Sequence, residues 1–312
     1  MIDLPRTDAP AFLPHPQHTL ASPQTTALVV RGERAYPALL ARIADPPRRF
    51  WLRGDPGALS APCVAVVGSR AASSYGLLVA ERLAADLARS GVTVVSGLAR
   101  GVDSAAHRGA LTMGKTVAIL GSGVDVIYPA EHRELAEAIV RTGGAIVSEL
   151  PPGSPPRAGH FPRRNRLISG VSLAVVVVEA STRSGSLQTA RFALDQGREV
   201  LAVPGTVLTE RFRGSHALLR DGAQLVETAS DILDELRLPD PAAAGPLTGD
   251  EAAQEPDALL LSMTPGATYE LQELAVMTGL TSGEVLRRML RLEVHGRVLR
   301  VPGPRYIRPS QW

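Results

Sequence analysis

From residue 64 onward, short runs of β-branched residues alternate with amphipathic stretches. The pattern predicts strands over 64–67, 92–95, 116–120, 145–147, 173–178 and 199–203, and helices over 76–89, 103–113, 131–141 and 187–196. Strands that are apolar throughout must be covered on both faces. The expected fold is therefore α/β, a parallel sheet between two layers of helix.

The pattern stops in two places. Residues 1–25 carry Pro5, Pro10, Pro14, Pro16 and Pro23 with no hydrophobic period, and are read as a proline-rich tail. Residues 238–256 are rich in proline, alanine and acids and read as a linker. Between them, 26–237 forms the α/β domain. Residues 257–312 predict a second, small domain: an apolar stretch at 259–261, a helix over 269–277, a turn at 278–280, a cap at Thr281 or Ser282, a helix to residue 295 and a hairpin over 297–307. That order is a winged helix-turn-helix.

Composition excludes several classes. The chain has 312 residues with 45% hydrophobic and 21% charged positions, which rules out a wholly disordered polymer. Cys63 is the single cysteine, so no intrachain disulfide forms and a reducing, cytoplasmic setting is expected. The first 25 residues contain no apolar core of a signal peptide. The longest apolar run, 173–178, falls far short of the roughly 20 residues of a membrane helix, so no membrane partner is expected. Net charge is only +2, yet 33 basic residues include one lysine, Lys115. Placement of arginine, rather than total charge, must identify the partner.

In an open parallel sheet, ligands bind beyond the carboxyl ends of the strands. After the first predicted strand stands Gly68-Ser69-Arg70, with Ser73 and Gly76 leading into the helix. This departs from G-x-G-x-x-G, because Arg70 projects a guanidinium where a dinucleotide needs bare backbone, and it favours a phosphate gripped by a side chain. Helix capping by Ser69 and Ser73 remains the alternative. The second strand ends in Arg100 between Gly97 and Gly101, followed by Asp103 and His107 on one helical face. An acid/base couple or metal pair would use that spacing, but no third ligand completes a metal site; a capping Asp paired with its own His is the simpler reading. Gly121-Ser122-Gly123 and Ser184-Gly185-Ser186 offer backbone amides and small donors as anion nests do, with ordinary turn glycines as the alternative.

The most distinctive stretch is 157–166, ending His160-Phe161-Pro162-Arg163-Arg164-Asn165-Arg166. No Asp or Glu occurs from 150 through 178, so these arginines are expected to lack acidic neighbours. Arginine forks that grip phosphate, beside an aromatic ring that stacks a base, are what a single strand of nucleic acid needs. A solvated arginine face over a buried Phe161 is the plain alternative.

Together with Tyr36-Pro37, Asp45-Pro46-Pro47, Tyr75-Gly76, Tyr128-Pro129, Ser148-Glu149, Pro204-Gly205 and Gly214-Ser215, these motifs resemble the DNA-processing protein A family, also called DprA or Smf, over about two thirds of the chain. The resemblance implies an extended Rossmann-like domain that binds single-stranded DNA in a basic pocket. It further implies no catalysis and no cofactor, and a role in loading the recombinase RecA during natural transformation. Arg70, Gly121, Gly123, Phe161, Arg164 and Arg166 match the family's pocket motifs, and Ser69, Ser73, Arg100, Arg163, Asn165, Gly185 and Ser186 complete the expected site. Members commonly form homodimers. Many carry an amino-terminal SAM-like domain, for which residues 1–35 are too short and too rich in proline.

Two rival readings remain. The core is also similar to nucleotide phosphoribohydrolases of the LOG, or lysine-decarboxylase-like, group, but their catalytic glutamate has no counterpart after Ser184-Gly185-Ser186-Leu187-Gln188-Thr189. Alternatively, the winged helix reads duplex DNA through Arg287, Arg288 and Arg291 on its second helix and Arg297, Arg300, Arg305 and Arg308 around the hairpin. A protein-docking role for that domain competes with this, since Val285, Met289 and Leu292 form the stripe any such helix buries.

Overall fold

A computed structural model describes residues 26–239, 258–294, 297–301 and 305–309. The expected tail over 1–25 and nearly all of the linker lie outside these residues. The chain divides into two compact units, 1–239 and 240–312.

The first unit runs β1 (Thr26–Val30), α1 (Ala38–Ala41), β2 (Arg49–Gly54), β3 (Cys63–Val67), α2 (Ser74–Arg89), β4 (Thr93–Ser96), α3 (Val102–Met113), β5 (Thr116–Ile119), α4 (Arg133–Arg141) and β6 (Ala145–Ser148). It continues through α5 (His160–Val171), β7 (Ala174–Val177), α6 (Ser186–Asp195), β8 (Glu199–Ala202), α7 (Arg213–Arg220), β9 (Gln224–Leu225) and α8 (Ala229–Glu235). Nine strands form one sheet in the order β1-β2-β6-β5-β4-β3-β7-β8-β9. From β6 to β9 every pairing is parallel. β3, β4, β5, β6 and β7 are buried at every position, as their apolar centres require.

The wholly parallel sheet expected from the pattern is corrected at one end, where β1 and β2 pair antiparallel to each other and β2 to β6. In Arg49–Gly54, one face of β2 meets the core through Phe50 and Leu52, while Arg49 and Arg53 share the other face with Trp51, which packs on a second apolar cluster. Helix α5 is likewise absent from the predicted pattern. Its first half is almost entirely polar, and only Leu167, Ile168 and Val171 reach the core, against Tyr36, Leu40, Ile43 and Phe50. Burial of each such side chain is worth about 1.5–3 kcal/mol, enough to hold a helix that its own composition does not announce.

The second unit contains α9 (Ala258–Ser262), β10 (Thr268–Glu270), α10 (Leu271–Thr278), α11 (Ser282–Val294), β11 (Leu299–Val301) and β12 (Arg305–Ile307). Its strands form a small antiparallel sheet in the order β10-β12-β11. Gly279, at φ 69°, ends α10 in the left-handed conformation. Leu274, Val285, Met289 and Leu292 close a core with Leu259, Val298 and Tyr306. His295, where the second helix is expected to end, and the hairpin turn at 302–304 lie outside the described residues.

Candidate nucleic-acid interface

The winding of the sheet reverses at β3, with β4, β5 and β6 on one side and β7, β8 and β9 on the other. Loops leaving the carboxyl ends of neighbouring strands diverge at such a point and leave a crevice. Here it has a volume of about 450 Å3, and residues 68–71 after β3, Ala99 and Asp103 around the start of α3, Arg164 and Asn165 of α5, and Ser181, Ser184, Gly185 and Ser186 before and at α6 line it.

The rim is open to water and cationic. Arg70 is exposed and places its guanidinium carbon 5.6 Å from the centre of the Phe161 ring. Phe161 in turn lies 5.5 Å from Tyr128, which is 49% exposed. Cation and rings therefore form a ladder in which the half-buried Phe161 lies between the exposed Arg70 and Tyr128, an arrangement on which bases stack. Among the described residues Arg70 and the exposed Arg183 have no ion-pair partner. The N-terminus of α6 opens onto the crevice: Gly185 is exposed with nothing packed on it, and Asn165 Nδ2 donates to its carbonyl at 3.5 Å. The first amides of α6 are taken up locally, Ser186 N by Ser184 Oγ at 3.3 Å and Leu187 N by Ser184 O at 3.2 Å, so what this helix start offers an anion is the positive end of its dipole. Ser184 and Ser186 bond to each other through their hydroxyls at 2.7 Å.

The floor is buried and already committed. Arg164 Nη1 donates to Gly97 O at 2.8 Å and also to Ile119 O. Its Nε has no hydrogen-bond partner among the described residues. A side chain on Gly97 would land 2.5 Å from the guanidinium, so this glycine makes room for the arginine. Burial lowers the Arg164 pKa to about 10, opposed by the Asp103 charge and reinforced by repulsion from Arg70. Burial raises the Asp103 pKa, against the pull of Arg164 and of two amides, Gly97 N at 3.0 Å and Ala99 N at 3.3 Å, that donate to its carboxylate.

Several sequence expectations are corrected here. The arginines of 157–166 do have acidic neighbours. Arg166 is buried with Nη2 2.8 Å from both oxygens of Glu149 and Nε 3.4 Å from Asp45, and the exposed Arg163 lies 3.6 Å from Glu149. Glu149 stands directly before the acid-free stretch, and helix α5 brings Arg163 and Arg166 back over it. Asp103 and His107 do not pair: His107 Nδ1 meets Thr116 Oγ1 at 2.7 Å instead. Gly121 and Gly123 are buried, not an open nest. Gly121 lies under Phe161, and the Gly123 amide donates to Ser154 O at 2.9 Å. Ser73 caps α2 by accepting from Gly76 N at 3.1 Å and donates to the buried Glu179 at 2.5 Å, while Ser69 Oγ accepts from Ala71 N at 3.2 Å. Arg100 is exposed and held by Glu131 through two bonds of 2.7 and 2.8 Å.

Sequence reasoning missed Glu149, Glu179 and Tyr128 as parts of this site. Only topology brings Tyr128, from the loop after β5, against Phe161. Among the described residues no cluster of three His, Cys, Asp or Glu is placed to hold a metal, and no helix is long and apolar enough to cross a membrane. In the second unit Arg287 and Arg297 are exposed, and Arg288 is half-buried with an interaction of its own. Arg305 lies 3.1 Å from Glu270, and Arg308 donates to Leu260 O and Met263 O at 2.8 and 3.2 Å. The Arg291 side chain lies outside the described residues.

Fold and site together define a doubly wound, Rossmann-like α/β protein whose switch-point crevice presents arginine, aromatic rings and a helix N-terminus. The family described as DNA recombination-mediator protein A matches residues 27–237, and the chain belongs to that family. Protein Smf of Escherichia coli K12 is 41% identical over 285 residues, covering 88% of this chain and 76% of that protein. Among solved structures, DNA processing protein A from Streptococcus pneumoniae aligns with a TM-score of 0.64 at 41% identity, over 68% of this chain and 75% of its own. The Helicobacter pylori protein, whose structure is described for its single-stranded DNA binding mode, aligns at 0.62 and 29% identity, over 69% and 96%.

Proposed function

We propose that the α/β unit binds single-stranded DNA along the carboxyl edge of its sheet and, as a recombination mediator, loads RecA onto that strand in natural transformation and recombination. The observation that carries the reading is the Arg70–Phe161–Tyr128 ladder beside the crevice, 5.6 and 5.5 Å between members. An exposed cation and an exposed ring flanking a half-buried one serve a polyanion with flat bases better than they serve the fold. Arg70, Arg183 and the positive end of the α6 dipole meet phosphates; Phe161 and Tyr128 meet bases. Arg164 and Asp103 shape the floor, and Arg166 supports α5 from behind. Family membership and the single-stranded DNA described for the H. pylori relative support the same reading.

The hydrolase alternative is not favoured. Carboxylates near the crevice are engaged, Asp103 with two amides and Glu179 with Ser73 and Arg211, which leaves no free acid to protonate a leaving base. Homodimerisation would double the basic edge and let one strand bridge two sites. For the second unit we read α10, Gly279, α11 and the β11–β12 hairpin as a winged helix, with Arg287 and Arg297 available to duplex phosphates.

Equilibrium binding of fluorescent oligothymidine and a matched duplex across salt, with native protein and Arg70→Ala, tests this. Native protein should prefer the single strand, and the variant should bind it more weakly with a salt slope smaller by about 0.7. Equal or tighter duplex binding, untouched by Arg70→Ala, would move the function to the second unit. No binding of either would reopen the hydrolase reading.

A further inference from the structure

The loop after β8 holds two neighbouring aliphatic side chains in water, Val207 at 82% and Leu208 at 89% exposure. A single exposed leucine means little, but this pair stands at the tip of a loop with both ends fixed. On one side, Tyr75 Oη donates to Pro204 O at 3.3 Å and His216 Nε2 meets Gly205 O at 3.1 Å. Phe212 packs between those two rings, 5.9 Å from Tyr75 and 6.3 Å from His216. On the other side, Arg211 Nη1 donates to Ala71 O at 2.6 Å and lies 3.5 Å from Glu179. The loop is anchored at both ends, and Ala71 is itself part of the crevice lining.

Position in the sheet sets its direction. β3, β7 and β8 are adjacent, so the loops after them follow one another along the same carboxyl edge at roughly 4.8 Å per strand. A strand of DNA that leaves Arg70 and passes Arg183 next reaches Val207 and Leu208. Arg211 and Arg213, both more than half exposed, follow the tip, with Glu210 paired to Arg213 at 2.9 Å. An apolar tip followed by guanidinium groups is complementary to a nucleic acid, in which an apolar base face adjoins a charged phosphate. Continuity with the crevice favours that occupant over a protein.

We propose that the single-strand track extends beyond the crevice across β8, where Val207 and Leu208 form an aliphatic wedge that enters between two bases and Arg211 holds the adjoining phosphate. The proposal rests on the single-stranded DNA reading given above. Aliphatic wedges part stacked bases in other nucleic-acid complexes, and such a tip makes no hydrogen bonds and does not discriminate among bases.

The experiment compares full-length native protein with a Val207→Ser/Leu208→Ser double variant, using oligothymidines of increasing length, each also prepared with a 2-aminopurine reporter near one end. Both side chains are in solvent, and unfolding curves of the two proteins should superimpose. The shortest oligomers should bind both proteins equally. Longer ones should bind the variant about tenfold more weakly, and the reporter's fluorescence gain on binding native protein should vanish with the variant. Equal affinities at every length would overturn the wedge while leaving the crevice reading intact. So would a variant that changes the sedimentation coefficient but not DNA binding, which would assign the tip to contact between copies. Failure of native protein to bind any length would remove the reading on which the wedge rests.

Discussion

Two sets of arginines lie within a few residues of the same crevice and do opposite things. Arg164 and Arg166 are buried, tied to backbone carbonyls or to Glu149 although Arg164 Nε and Arg166 Nε and Nη1 have no hydrogen-bond partner among the described residues, and hold α5 against the sheet. Arg70 and Arg183 are exposed and without ion-pair partners among the described residues. The difference teaches that a basic motif has an inner and an outer layer. Desolvating a guanidinium is costly, so a buried one is already matched by protein acceptors and has little left for a ligand. Hydrated, unmatched arginines meet phosphate at small cost, with counterion release favouring the contact.

Removing an inner arginine should break the fold before it alters binding. Arg166→Ala leaves the Glu149 carboxylate without its two 2.8 Å bonds. Loss of one partner of a buried pair costs about 3–5 kcal/mol, to be read as a lower urea midpoint. The folded fraction, measured by stoichiometric titration with oligothymidine, should retain native affinity for it. A stable Arg166→Ala protein with weakened DNA binding would erase the division between layers.

The inner layer should also respond to acid where the rim does not. Thr116 Oγ1 donates to Val94 O at 2.7 Å and so accepts from His107 Nδ1, leaving Nε2 bare and buried without a partner. Burial lowers the His107 pKa from 6.5 to about 3, helped by the charges of His132, Arg164 and Arg108. Between those values the unfolded chain binds a proton that the folded chain does not, so this contribution is complete above pH 6.5 and declines as pH falls toward 3. Moving from pH 7 to pH 5 should remove about 2 kcal/mol by this route, measured as the drop in urea stability that a His107→Gln variant lacks.

How far the sequence shows these layers depends on periodicity. The parallel strands and the helices beside them were legible because burial on both faces leaves strand centres apolar, with polar residues such as Thr93, Ser96, Thr116 and Ser148 only at the strand ends. β2 and α5 were not, since one interrupts its apolar residues with Arg49 and Arg53 and the other has no apolar period before Leu167, and each is held by contacts distant in sequence. The site divides the same way. Arg70 and Phe161 could be named because they stand at a strand end and in a distinctive motif, whereas the pairing of Arg166 with Glu149 follows from helix geometry that the motif does not spell out. Tyr128-Pro129 stood out as a motif of the resemblance, but its place in the ladder did not, because Tyr128 meets Phe161 only once the loop after β5 and the helix after β6 are brought together.

Arg100 occupies the ground between the layers, exposed like Arg70 but held by Glu131. Each partner shifts the other toward its charged form: the Arg100 pKa is raised and the Glu131 pKa lowered, chiefly through their shared hydrogen bonds. A fully exposed pair is weak, and a passing phosphate can compete with the carboxylate for the guanidinium. Glu131→Gln removes the competitor without burying anything. Affinity for oligothymidine should rise by about twofold at low salt, and the gain should disappear as ionic strength screens the exposed charges. An unchanged affinity would place Arg100 off the track, with Arg70 as the first cation the strand meets on that side of β3; a loss would mean that the arginine must be held by Glu131 to reach the DNA at all.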